Sequence, residues 1–212
     1  MSPMKEYYAK QAQTLLPNLK KRQMEGYYFD TLTEAKEFIY TTFLRPGMTI
    51  GFGGSMTFEK ESSLYDELKQ DPQYHLIDRK DKDIPLPELN AQLINADVFF
   101  LSANAISLDG QLINIDGRGN RLSFLLYGPE SIIVLVGMNK VESTLEAALH
   151  RARNVAAPKN SMRLQRNTPC TIKGYCMDCL SPDCICSNIV ITRRSYVPNR
   201  IKVVLVGEEL GY

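Results

Sequence analysis

Apolar positions along this chain follow three rhythms, and each predicts a different element. Continuous apolar runs, DVFFLSA (97–103) and IIVLVG (132–137), read as strands buried on both faces, because a one-sided sheet would show alternation. MTIGFGG (48–54) reads as a strand running into glycines, YHLID (74–78) as a short strand, and NIVITRRS (188–195) and RIKVVLVG (200–207) as two closing strands. ISLDGQLINID (106–116) instead holds two short alternating runs joined by Asp109-Gly110, a dipeptide suited to a hairpin turn.

Between these runs the spacing is helical. Residues 3–24 predict a helix interrupted or kinked near Pro17. Thr31 followed by Glu34 is a capping box that opens a helix through about Leu44, closed by Pro46-Gly47. SMTFEKESSLYDELKQ (55–70), LPELNAQLINA (86–96), NRLSFLLYG (120–128) and VESTLEAALHRARNVAAP (141–158) complete the set, the last ended by Pro158. Alternation of strands and helices predicts an α/β fold, a mostly parallel Rossmann-like sheet flanked by helices with a β-hairpin insertion. Residues 1–28 are expected as an N-terminal helical arm and 29–212 as the α/β domain, including a cysteine-rich segment at 168–187.

Composition narrows the function classes. Among 212 residues, 25 lysines and arginines nearly cancel 24 aspartates and glutamates, so no global field attracts nucleic acid. The N-terminal segment carries charges where a signal peptide needs an apolar stretch, and the longest strongly apolar run, Ile132 to Met138, cannot span a bilayer. The expectation is a soluble cytoplasmic protein with no membrane insertion. His75 and His150, the only histidines, have no nucleophile beside them in sequence, which argues against a histidine-dependent triad. Tyr7, Tyr8, Tyr27 and Tyr28 are expected to pack internally or against another subunit, which keeps a homo-oligomer in view.

Two stretches carry candidate ligand chemistry. In GFGGSMTFE, Gly51, Gly53 and Gly54 let backbone approach a ligand, while Ser55, Thr57 and the first amides of a following helix suit a phosphate or carboxylate. The pattern is neither a Walker loop nor a complete dinucleotide fingerprint, and packing of a strand-to-helix turn also explains it. Glu59, one turn from Ser55, is a candidate acid/base or nucleophile, or else a helix-dipole partner. The second stretch, NAISLDGQLINIDGRGNR, follows a buried strand, where ligands bind in open α/β sheets. Asp109-Gly110 and Asp116-Gly117 suit turns, Asn120 can cap a helix, Arg121 can fork onto an anion, and Asn104 and Asn114 can orient a ligand.

Together with VLVGMNKVESTLEAALHRARNVAAP, these stretches resemble the LUD domain family, associated with lactate utilisation and including LutC-type proteins. The resemblance runs from about residue 30 to the last strand. It implies a fold similar to the NagB/RpiA/CoA-transferase class and a pocket for a small anionic metabolite: a carboxylate, a phosphorylated compound or an acyl-CoA. It places the family's glycine loop on Gly51, Gly53, Ser55, Thr57 and Glu59. Its asparagine, hairpin and NR segment fall on Asn104, Asp109, Gly110, Asn114, Asp116, Asn120 and Arg121, and its NK pair on Asn139 and Lys140. It further implies a lactate-to-pyruvate oxidation system with iron-sulfur partner subunits, in which this chain is an enzyme or enzyme subunit, or alternatively a non-catalytic iron-sulfur or zinc-bearing electron-transfer or assembly subunit, or a metabolite-sensing regulatory module. The catalytic glutamate motif of coenzyme A transferases is absent.

All five cysteines lie in CTIKGYCMDCLSPDCIC, separated by five, two, four and one residues. Such spacing suits a four-thiolate zinc site or iron-sulfur cluster, with five candidates for four places. The similarity to standalone LUD-like proteins selects Cys170, Cys176, Cys179 and Cys186 and leaves Cys184 over. A redox-active Cys176–Cys179 pair and reduced or disulfide-linked thiols are the other readings.

Overall fold

The computed structural model describes residues 2–212. Its ten strands are β1 (Glu25–Phe29), β2 (Thr49–Phe52), β3 (His75–Ile77), β4 (Val98–Leu101), β5 (Ala105–Ser107), β6 (Leu112–Asp116), β7 (Ser131–Gly137), β8 (Val141–Glu142), β9 (Asn188–Thr192) and β10 (Ile201–Val206). Six of them form a wholly parallel sheet in the order β1-β10-β7-β4-β2-β3. The other four form a smaller sheet, β8-β5-β6-β9, around the expected hairpin. The α/β class is therefore observed directly. β9 differs from expectation: it pairs with β6 in the small sheet, and only β10 returns to the large one.

Burial explains why the continuous apolar runs became central strands. Phe99 packs in the core on one face of the sheet with Leu101, Ile132 and Val134, while Val98, Phe100, Ile133 and Leu135 fill the opposite face. Phe58, Phe99 and Phe100 are fully buried, each contributing about 1.5–3 kcal/mol by transfer from water. Phe52 stacks on Phe100 with ring centroids 4.8 Å apart, which ties neighbouring strands β2 and β4 together.

Helix α1 (Pro3–Lys21) runs through Pro17 without a break. Ala12, Leu15 and Leu19 point into the core, and the chain then turns through Gln23 into β1, an edge strand the apolar pattern did not reveal. Its residues are all half-buried, so EGYYF shows neither alternation nor a fully apolar run. Helix α2 (Leu32–Phe43) opens on the predicted Thr31–Glu34 capping box.

Two helices depart from prediction at π-turns. The segment after β2 makes a π-turn over Thr57–Glu61, then reverses at Ser63 (φ 56°) before α3 (Leu64–Gln70). Helix α4 is Leu86–Ile94 and α5 is Asn120–Leu126. Farther on, α6 (Leu145–Arg151) passes through a π-turn at Ala152–Ala156 into α7 (Ala157–Arg163), with α8 (Pro169–Lys173) following. Pro158 does not end this rod. The Ala157 N–H already reaches back to Ala152 O, so the ordinary ladder is broken where the proline, which has no N–H, enters.

Candidate functional site

The parallel strands β7, β4 and β2 lie side by side, and their carboxyl ends deliver three segments to one crevice. β2 delivers Gly53, Gly54 and Ser55, β4 delivers Ser102, Ala103 and Asn104, and β7 leads through a 3₁₀ turn to Lys140. Arg121 from α5 and Asn160 and Arg163 from α7 close the sides, with Gly211 and Tyr212 across the remaining edge. The resulting cleft has a volume of about 50 Å³.

Lys140 sits at its base, 3% exposed, with Nζ 3.2 Å from Ser102 Oγ. Burial, then the positive charge of Arg151, push its pKa down to about 7; Glu61 pulls the other way and Arg121 adds to the depression. The Thr57 hydroxyl is fully buried and has no hydrogen-bond partner. It lies beside Lys140: a Cβ placed on Gly211 would stand 3.0 Å from both Thr57 Oγ1 and Lys140 Nζ. Gly211 also has φ +61°, so glycine satisfies both the backbone and the space there. Its N–H donates to Glu61 Oε2 at 2.6 Å.

A polar scaffold holds these groups. Arg151 Nη1 donates to Asn104 O (2.6 Å) and its Nε to Asn139 O (3.1 Å), linking the ends of β4 and β7. Asn114, 1% exposed in β6, donates to Ser102 O at 3.0 Å. Asn104 Oδ1 accepts from Ile115 N at 2.8 Å, and Arg121 Nη2 donates to Ile115 O at 2.7 Å. Asp116 stands 3.5 Å from Arg121 Nε and accepts from Gly119 N at 2.9 Å.

The sequence-predicted residues thus divide. Gly54, Ser55, Asn104, Arg121 and Lys140 line the cleft; Thr57 meets Lys140 at its base, and Asn114 and Asp116 brace the wall. Gly53 permits close approach, since a Cβ there would come within 2.7 Å of Arg121 Cγ. Gly51 instead packs inside the fold, where a Cβ would meet Leu93 at 2.3 Å. Asp109 and Gly110 form the hairpin tip against α1, with Asp109 paired to Arg22 at 2.7 Å. Asn120 is the first residue of α5 rather than its cap, because Gly119 takes the cap position at φ 78°. Glu59 opens on a second hollow of about 190 Å³ beside Lys80, 3.8 Å away; the two hollows meet at Gly54.

Ser102, Glu61, Arg151, Asn160 and Arg163 were not singled out from sequence. Spacing offered a signal for Glu61 alone: it lies four residues after Thr57, but that relation gains meaning only once the π-turn is known. The arginines come from a rod distant in sequence, whose direction no local pattern records.

The cysteines form a separate locus. Cys170, Cys176, Cys179 and Cys186 line one cavity of about 180 Å³ with Arg153, Ala157 and Ser161; Cys184 is outside that lining. All five are unpaired. Burial, then the neighbouring Cys184, push the Cys186 thiol up to about 11. Among the described residues, no group of three or more His, Cys, Asp or Glu side chains is arranged to hold a single metal ion.

Comparison with known proteins follows the same outline. The LUD domain model matches residues 12–206. A crystal structure of a DUF162 family protein from Deinococcus radiodurans superposes with TM-score 0.52 at 14% identity, covering 97% of this chain and 99% of that one. A D-ribose-5-phosphate isomerase in complex with phospho-erythronic acid matches at TM-score 0.35 and 24% identity over 54% of each chain. The ribose 5-phosphate isomerase from Plasmodium falciparum does so at 0.35 and 19%, over 53% of this chain and 52% of that one. No curated protein matches. No helix among the described residues is long and apolar enough to cross a membrane.

Proposed function

We propose, from the premise that this chain belongs to the LUD domain family, that it binds a small anionic metabolite at the ends of β2, β4 and β7, with Lys140 as the principal charge. The family is associated with lactate utilisation. One observation carries the reading: a buried lysine lines a polar cleft, and a partnerless threonine hydroxyl stands beside it behind Gly211. An unsatisfied buried hydroxyl is costly by about 1–3 kcal/mol, and an anion's oxygen reaching it would accept its hydrogen bond. The same anion would favour the ammonium form of Lys140, whose burial otherwise disfavours charge.

In this reading Arg121 and Arg163 supply further positive charge at the cleft wall, Gly53 makes room for the Arg121 side chain, and the Gly54 backbone lets the ligand approach closely. A cleft of about 50 Å³, several times the ~10–15 Å³ that one water needs, suits a carboxylate or phosphate head. The body of a sugar phosphate or acyl-CoA would extend beyond it. Glu59 reaches the loop from the adjoining hollow, where it is the candidate acid/base toward a ligand extending past Gly54. The family association puts lactate and pyruvate first among the carboxylates, and an oxidation system with iron-sulfur partners as the setting.

Calorimetric titration with pyruvate, lactate, phosphate and ribose 5-phosphate tests this. At least one should bind, and Lys140→Met should weaken it about 10- to 100-fold, the loss expected for a hydrogen bond to a charged group worth about 1.5–3 kcal/mol. Equal affinity in a folded Lys140→Met protein would remove Lys140 from the site, and binding of none of these anions would sink the proposal.

A further inference from the structure

One cation is left over among the charges around the hollow beside Glu59. Asp78, Arg79 and Lys80 directly follow the carboxyl end of β3, which pairs in parallel with β2, so they stand at the same end of the sheet as the anion cleft. With Glu59 they line the hollow of about 190 Å³, whose remaining wall includes the rings of Phe52, Phe58 and Tyr65.

Both carboxylates of this hollow are already matched. Asp78 accepts from Tyr65 Oη at 2.7 Å and from Lys69 Nζ at 2.8 Å. Glu59 stands 3.8 Å from Lys80 Nζ, which also lies 4.4 Å from the centre of the Tyr65 ring. Arg79 has no such match. Its Nε is buried without a hydrogen-bond partner, and Asp116, the one carboxylate whose charge bears on it, stands 3.5 Å from Arg121 Nε. Burial holds the Arg79 pKa below the ordinary guanidinium value, yet a guanidinium stays protonated in a protein. The fold thus encloses a positive charge that it leaves uncompensated.

We propose, resting on the Lys140 anion site, that Arg79 anchors the far end of the same ligand, and that this ligand is a short-chain dicarboxylate spanning the cleft and the hollow past Gly54. The Nε edge of a guanidinium offers two parallel N–H donors, the fork that a carboxylate accepts. The two spaces meet at Gly54, where a Cβ would find Glu59 Oε1 at 3.8 Å as its only neighbour within 4 Å, so the passage is open. Between the cationic ends, the aromatic wall suits a run of methylenes. A monoanion of pyruvate's size would engage Lys140 and leave Arg79 unmatched, so the site discriminates by the number of charges on its ligand.

The test is calorimetric titration of the full chain with glutarate, adipate and pimelate, each set against its monomethyl ester, which keeps the chain and removes one charge. At least one diacid should bind about 10-fold or more tighter than its ester and than pyruvate, the gain expected of one charge-assisted hydrogen-bonded pair. Arg79→Met should bring that diacid to the affinity of its ester while moving pyruvate less than about twofold, and Arg79→Lys should recover part of the loss. Lys140→Met should weaken diacid and pyruvate alike. Circular dichroism identifies any variant that has unfolded, and the diacid–ester comparison in the wild-type protein stands independently of every variant. Pyruvate binding with diacids no tighter than their esters, or undiminished diacid affinity in a folded Arg79→Met protein, would overturn the dicarboxylate assignment and leave the Lys140 site standing. Binding of neither pyruvate nor any diacid would sink both.

Discussion

At the scale of single residues, Lys140 concentrates the physics of the cleft. Its folded pKa of about 7 lies below the ~10.4 of an unfolded lysine. Between these values the unfolded chain holds a proton that the folded chain has released, so this residue's contribution to stability rises with pH across that window. An anionic ligand reverses the preference because it favours the ammonium. Above about pH 7, binding must take up a proton, and affinity for an anion of fixed charge such as pyruvate should fall toward tenfold per pH unit. Titration across that range in buffers of differing ionisation enthalpy would read both the slope and the proton uptake. In Lys140→Met the slope should vanish; a slope that persists would assign it to another group.

Helices and strands set the next scale, and α1 shows how an element's role differs from its sequence impression. The segment was expected as an arm, but Leu15 and Leu19 are fully buried beneath it and pack with residues from strands β4, β7 and β10. Leu19→Ala should therefore cost about 2–5 kcal/mol in urea unfolding, the range for deleting a core leucine side chain. A loss below about 1 kcal/mol would restore the picture of a peripheral arm. What sequence revealed here followed burial. DVFFL and IIVLVG announced themselves as central strands because both faces are covered, whereas EGYYF in β1 is half-buried throughout and gave no period to detect. The cleft was partly visible for a related reason. Gly54, Ser55, Asn104 and Lys140 directly follow recognisable strands, but Ser102 was one hydroxyl within an apolar run, and Arg163 reaches the site only because the rod continues through Pro158. The π-turns behind that continuity, and behind the placement of Thr57 and Glu61, leave no local signature comparable to a capping box.

On the scale of the whole molecule, two sheets share the task of placing the chemistry. The large parallel sheet presents strand ends to the cleft, and the small one buttresses it through Asn114 and anchors the return of the cysteine segment through β9. The rod of α6 and α7 stands between the two loci: Ala156, Asn160 and Arg163 face the cleft, while Arg153, Ala157 and Ser161 face the thiols. A partition one helix thick, about 10–12 Å across with its side chains, makes the two chambers neighbours that share a wall. If filling one chamber shifts that wall, thermodynamic reciprocity requires the second to respond by the same factor. Saturating pyruvate should therefore change the rate at which a thiol reagent modifies the cysteines lining the second chamber; an unchanged rate would mean that the wall transmits nothing and the chambers merely adjoin.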